Sequence, residues 1–269
     1  MAGVKPVGIF SVDPAIQTCP PWAQFAVLAS WCDFAEAVRM SREMGVWWVL
    51  GIFSYAPDEP LAGVLPALIA RIDAAGLRPY LVGVCYHEEW YGRFKGGEFD
   101  TLTTEPGMHL TEAGQWKGAE LIHQWVGQQH AAIKAALPGV PIAWIDGYVN
   151  DDRAHGAWWY QPVPDHVDVL ALEGYVPAGG TWAANVEPFL RHAVATRREP
   201  IVLIVQGFHA PGDALWGDGP TEDGLTGTAR WMAHPRVVSA WIFDWHSRPG
   251  MRGLDVLVMQ PRLLAAVGV

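Results

Sequence analysis

The 269-residue sequence predicts an α/β protein folded as a single (β/α)8 TIM barrel with one weak strand. Three observations predict it. Short apolar runs rich in β-branched and aromatic residues alternate with longer helical patterns, the signature of βα units around a parallel sheet. The length is close to the ~250 residues that one such barrel needs. Finally, five of the seven clear apolar runs end in an acidic residue, as expected of strand ends that converge on one mouth.

In chain order, strand 7–12 is apolar and ends in Asp13-Pro14. A helix over 33–44 stops at Gly45, and strand 46–53 ends in Ser54-Tyr55. Helix 60–75 stops at Gly76, before strand 79–87. That strand's run Leu81-Val82-Gly83-Val84-Cys85 closes in Tyr86-His87-Glu88-Glu89-Trp90. Helix 111–136 and the breaker Pro138-Gly139 precede strand 141–146, which ends in Asp146-Gly147-Tyr148. Strand 167–173 gives Glu173-Gly174-Tyr175. Helix 182–197 and Pro200 lead into strand 201–206, which gives Gln206-Gly207-Phe208-His209. Helix 222–233, strand 237–244 with Asp244-Trp245-His246 at its end, and helix 254–267 complete the pattern. Seven strands do not close an eight-stranded barrel, and 25–29 is the candidate for the missing one. No linker or repeat divides the chain, so 1–269 is expected to be one domain.

Composition excludes several classes. At 51% hydrophobic and 17% charged residues the chain is not disordered. No apolar stretch reaches the ~18 residues of a membrane span, so no membrane partner is expected. A net charge of −10 without a basic stripe argues against nucleic acid. Cys19, Cys32 and Cys85 lack CxxC spacing and read as buried free thiols. The start has no signal-peptide layout; a cytoplasmic protein, a secreted one with its leader removed, or a phage-associated one is expected. No cofactor is expected, and the oligomeric state is not legible.

Tryptophan is over-represented, at fifteen residues. Trp47, Trp48, Trp125, Trp144 and Trp241 lie inside strand or helix patterns and are expected in the core. Trp22, Trp31, Trp90, Trp158, Trp159, Trp182, Trp216 and Trp245 lie near loops or strand ends. For these, packing and stacking on a pyranose C–H face both stand open.

The strand-end carboxylates suit glycosidic cleavage, in which one carboxylic acid protonates the leaving oxygen and a second carboxylate attacks the sugar or activates a water. Like charges crowded in one mouth also raise a carboxyl pKa, which suits the acid. Asp13, Tyr55, His87, Glu89, Trp90, Asp146, Tyr148, Tyr175, His209, Trp245 and His246 are candidates for the rim that binds substrate. Asp13 also reads as a cap of the following turn, Tyr148 and Tyr175 as packing residues, and His209 and His246 more often as hydrogen-bonded loop or core histidines than as catalysts. By the pleat, Glu88 shares a face with Tyr86 and Val84, and Glu89 with His87 and Cys85. Glu88 is expected inward and Glu89 paired with Arg93.

The stretch His87-Glu88-Glu89-Trp90-Tyr91-Gly92-Arg93-Phe94 resembles the His-Glu-x-x-x-Trp-(Phe/Tyr) strand end of clan A retaining glycoside hydrolases. The pattern is most similar to family 26, the β-mannanase-type enzymes. Trp144-Ile145-Asp146 and Trp159-Tyr160-Gln161-Pro162-Val163-Pro164-Asp165 follow in similar order, before Val167-Asp168-Val169-Leu170-Ala171-Leu172-Glu173-Gly174-Tyr175. The resemblance spans roughly residues 80–210. It implies a carbohydrate substrate, with Glu88 as general acid/base at the end of barrel strand four, which needs 25–29 to be a strand. It also implies a glutamate nucleophile at the end of strand seven, where this chain has Gln206. An amide cannot form the glycosyl ester. The nucleophile is then Glu173 or Asp244, or the chain is an engineered inactive variant, or it is a substrate-assisted or catalytically silent glycan-binding barrel. A metal-dependent hydrolase built on His87, Glu89, Asp146, Glu173, Asp244 and His246 ranks behind these, because the histidines lack ligand spacing.

Overall fold

A computed structural model describes residues 5–10, 19–53, 60–86, 119–146, 165–176, 179–210, 219–243 and 260–269, with backbone alone at 119–123 and 146. Eight parallel strands close into a barrel in sequence order. They are β1 (Val7–Ile9), β2 (Phe25–Ala29), β3 (Trp47–Ile52), β4 (Leu81–Tyr86), β5 (Ile142–Asp146), β6 (Val169–Gly174), β7 (Ile201–Gln206) and β8 (Val237–Phe243). The weak segment 25–29 is therefore a strand, paired along its whole length with β3. β1 closes the ring by pairing with both β2 and β8.

The described helices are α1 (Phe34–Met44), α2 (Leu61–Ala75), α3 (Ala119–Ala136), α4 (Trp182–Asn185), α5 (Glu187–Thr196), α6 (Glu222–Met232) and α7 (Gln260–Val267). Short polar side chains start three of them by taking up otherwise unpaired N–H groups. The Asp33 carboxylate accepts from Ala35 N at 2.9 Å, Thr181 Oγ1 from Ala184 N at 3.2 Å, and Thr221 Oγ1 from Gly224 N at 3.1 Å. Pro60 has no such group to offer α2. Gln129 of α3 supplies it instead, its Oε1 accepting from Leu61 N at 2.8 Å. Gly45 ends α1 in the left-handed region, φ 74°, where a Cβ would be strained.

Two expected elements change. The helix over 182–197 is two helices with a turn at Val186. Pro188 lacks an N–H and its ring would meet the carbonyl four residues back, so it can only occupy the first turn of a new helix. The strand placed at 79–87 starts at Leu81, because Arg78–Tyr80 form a 3-10 turn with Pro79 in its first turn. Residues 11–18, 111–118 and 251–259, parts of other expected elements, lie outside the described residues.

Side chains alternate between two apolar layers. Val27, Val49, Cys85, Ile145, Ala171, Ile204 and Trp241 fill the barrel. Leu28, Leu50, Val84, Tyr86, Trp144, Leu172, Leu203, Val205 and Ile242 face outward under the helices. The three cysteines are buried and free, and burial pushes the Cys19 thiol up to about 11.

Candidate active site

The parity of β6 and β7 sends two polar side chains into the barrel near its C-terminal end. On β6, Ala171 and Tyr175 belong to the interior layer, so Glu173 between them shares their side. Gly174 confirms it from the other face: a Cβ there would lie 3.1 Å from both Leu203 Cδ1 and Trp182 Cη2, in the layer under the helices. On β7, Val202, Ile204 and Phe208 are interior residues, and Gln206 shares their parity. Glu173 is 6% exposed and Gln206 5%, so both are polar groups inside an apolar wall.

Strand register sets their heights. Glu173 pairs with Ile204, and Gln206 pairs with Phe243 of β8, one inward position closer to the mouth. The Gln206 amide donates from Nε2 to Phe208 O at 3.4 Å. Around the pair, aromatic rings close the barrel. Tyr175 stacks on Phe243 at 6.2 Å between centroids, and Phe208 stands edge-on to both, at 5.8 Å from Tyr175 and 5.5 Å from Phe243. Phe10 adds a fourth ring 5.4 Å from Phe243. A buried carboxyl and a buried amide at inward positions of adjacent strands near the C-terminal end can present hydrogen-bonding groups to a ligand there.

Of the expected site residues, Glu173, Gln206 and Tyr175 share inward parity near the C-terminal end of the barrel. His209 is half-buried just after β7, beside Gly219, where a Cβ would lie 3.1 Å from His209 Cβ. Asp146 is the last residue of β5, its backbone paired with Leu172. Asp13, Tyr55, His87, Glu88, Glu89, Trp90, Tyr148, Asp244, Trp245 and His246 lie outside the described residues. β4 bears on the pleat argument. Cys85 faces the interior, while Val84 and Tyr86, whose parity Glu88 shares, pack outward under the helices. An inward Glu88 thus requires a break in the alternation after Tyr86, and an unbroken strand favours Glu89.

Trp182, for which packing and stacking both stood open, is 1% exposed and packs in the layer under the helices. One tryptophan departs from expectation. Trp47, expected in the core, is 46% exposed, because it is the first residue of β3 and stands at the opposite end of the barrel from the mouth. Trp31, two residues beyond β2 and so at the mouth end, is also 46% exposed and keeps its place as a stacking surface. Trp48, Trp144 and Trp241 are core residues as expected, and Trp125 and Trp22 pack half-buried against the outer layer. The aromatic residues Phe10, Phe208 and Phe243 were not singled out from the sequence; their signal is parity with inward neighbours. Among the described residues no three His, Cys, Asp or Glu side chains converge as a metal site would need. No described helix is long and apolar enough to cross a membrane.

No family model and no curated protein matches this sequence. Solved structures do match its fold. An active-site mutant of Rhizomucor miehei β-1,3-glucanosyltransferase in complex with laminaritriose superposes with a TM-score of 0.56 at 15% identity, over 88% of this chain and 86% of that one. The endo-1,4-β-D-mannanase of Thermotoga petrophila RKU-1 gives 0.56 at 10% identity over 92% of each chain. Bacteroides uniformis β-glucuronidase 2 gives 0.54 at 11% identity over 90% of this chain, which spans only 30% of that enzyme. At these identities the likeness is one of fold.

Proposed function

We propose that the chain is a glycoside hydrolase that cleaves a poly- or oligosaccharide at the C-terminal mouth of its barrel. Glu88 acts as general acid/base and Glu173 as the second carboxylate. The observation that carries the reading is Glu173 itself, a buried carboxyl that strand parity turns into the barrel near its C-terminal end, where barrels of this kind place their chemistry. Glu173 is taken as the second carboxylate because it stands on the strand next to Gln206, where the resemblance to family 26 wants a nucleophile; Asp244, which follows Gln206's partner Phe243 on β8, is the alternative. The exposed indole of Trp31 at the mouth end offers a sugar platform. The glucanosyltransferase, mannanase and glucuronidase that share the fold add support from carbohydrate chemistry.

Turnover of an oligosaccharide array by the purified protein tests this. Glu88→Gln and Glu173→Gln should each lower kcat/KM by about 10²–10⁴-fold. Glu89→Gln is the control for the pleat: if it abolishes turnover while Glu88→Gln does not, the acid is Glu89. Unchanged turnover in Glu173→Gln transfers the second role to Asp244. The anomeric configuration of the first product gives retention or inversion, and with it the carboxyl separation, ~5–5.5 Å or ~6.5–9.5 Å.

Gln206 favours a second reading, a glycan-binding barrel without turnover. A buried amide occupies the position at the end of β7, and it is already engaged by the Phe208 carbonyl. That reading expects saturable sugar binding that quenches tryptophan fluorescence, with no product at any enzyme concentration.

A further inference from the structure

A cavity of about 350 Å³ opens at the end of the barrel opposite the mouth, among the N-terminal ends of the strands. Its volume comes from undersized side chains. Barrel layers are ordinarily filled by bulky branched residues, whereas the wall here includes Gly83, Ala143 and Ser239. A Cβ built on Gly83 would sit in ordinary contact, 3.5 Å from Val49 Cγ2, so the wall is short of a side chain that would fit there. The aromatic part of the wall is Phe25, Trp47 and Trp241, and the half-exposed Trp47 and Val82 stand at its rim.

The chemistry of the wall selects the guest. None of the described residues lining the cavity is charged. The neighbouring cation, Lys5, is turned to the carbonyl oxygens of Met232 at 2.5 Å and His234 at 2.8 Å. The Ser239 hydroxyl donates to Pro6 O at 2.9 Å, which leaves Gln24 as the polar side chain for a ligand to address. Apolar cavities hold water poorly and accept apolar guests; one of ~150 Å³ takes a benzene ring. We propose that this floor is a binding site for a neutral, mainly apolar molecule of about two fused rings, held against the indoles of Trp47 and Trp241 with a polar edge at Gln24.

The test is a titration of the full chain with 2-naphthol, followed by calorimetry and tryptophan fluorescence. One saturable site per chain is expected, with a rise in thermal midpoint. The anionic 2-naphthoate should bind at least about tenfold more weakly, since no cation awaits it. Gly83→Leu grows a side chain into the cavity and should abolish binding. Trp47→Ala, at a half-exposed position, should weaken it at least about tenfold and carries the test if the leucine variant misfolds. Glu173→Gln, at the other end, should leave the affinity unchanged. Absence of saturation overturns the proposal, as does equal affinity in Trp47→Ala. Binding only after deletion of residues 1–4 overturns it in favour of the chain's own start as occupant, and concentration-dependent dimerisation lost in Trp47→Ala without naphthol binding does so in favour of a second copy.

Discussion

His130 lies on α3 with Nδ1 3.2 Å from the Asp165 carbonyl oxygen, while Tyr86 and Trp144 stand edge-on to its ring at 6.4 and 6.3 Å. The carbonyl can only accept, so Nδ1 carries a proton. Burial pushes its pKa down to about 4, against a smaller upward pull from the Asp165 hydrogen bond. In the unfolded chain the imidazole titrates near ~6.5. The unfolded state therefore binds more protons between these values. The stabilisation is complete above ~pH 6.5 and is lost as pH falls toward 4, on the order of 3 kcal/mol in all. His130→Gln keeps a donor for Asp165 but cannot titrate. Urea midpoints between pH 7 and 4.5 should fall less steeply in this variant than in the parent, and parallel slopes would exclude His130 as the source. Glu173 and His130 are both buried polar groups, but they sit on opposite sides of the barrel wall. The inward one stands near the C-terminal end of the barrel and the outward one lies between α3 and the sheet, which is why only the first belongs to the proposed chemistry.

Among the elements, the break between α4 and α5 has consequences for packing. The short helix α4 seats the Trp182 indole against α6, where Gly227 makes room for it. A Cβ at Gly227 would fall 2.0–2.5 Å from the indole ring atoms. Glu187, at the start of α5, bridges Arg191 of its own helix and Arg230 of α6, tying α5 to α6. Gly227→Ala should therefore destabilise the protein by about 1–3 kcal/mol in urea unfolding, although alanine raises helix propensity by ~1 kcal/mol. A stabilised variant would mean that Trp182 repacks freely. This joint was legible only in part. Pro188 announces the break, but no periodicity tells that the tryptophan before it turns inward, since Trp182 is the first residue of its helix and has no repeat to belong to.

For the whole molecule, closure depends on β1, three residues that pair on both sides. At Gly8 a Cβ would lie 2.2–2.6 Å from the Phe25 ring, which in turn stands edge-on to Trp241 at 6.0 Å. Gly8→Ala should wedge this seam and cost about 1–3 kcal/mol, or 2–4 °C in thermal midpoint per kcal/mol. Phe25→Leu in the same chain should recover part of the loss; no loss in the single variant would show that the seam tolerates a side chain. The βα order, the weak strand at 25–29 and the strand-end positions of Glu173 and Gln206 were legible in the amino-acid order, because a period of two and glycine or proline breaks are local properties. Which of those strand-end groups share a space was not. That depends on barrel register, which sets Glu173 opposite Ile204 and Gln206 opposite Phe243 through pairing between segments about thirty residues apart. The exposure of Trp47 and the cavity beside it likewise arise only on closure, when N-terminal strand ends that include the small Gly83, Ala143 and Ser239 meet around one axis and leave a space that no single strand contains.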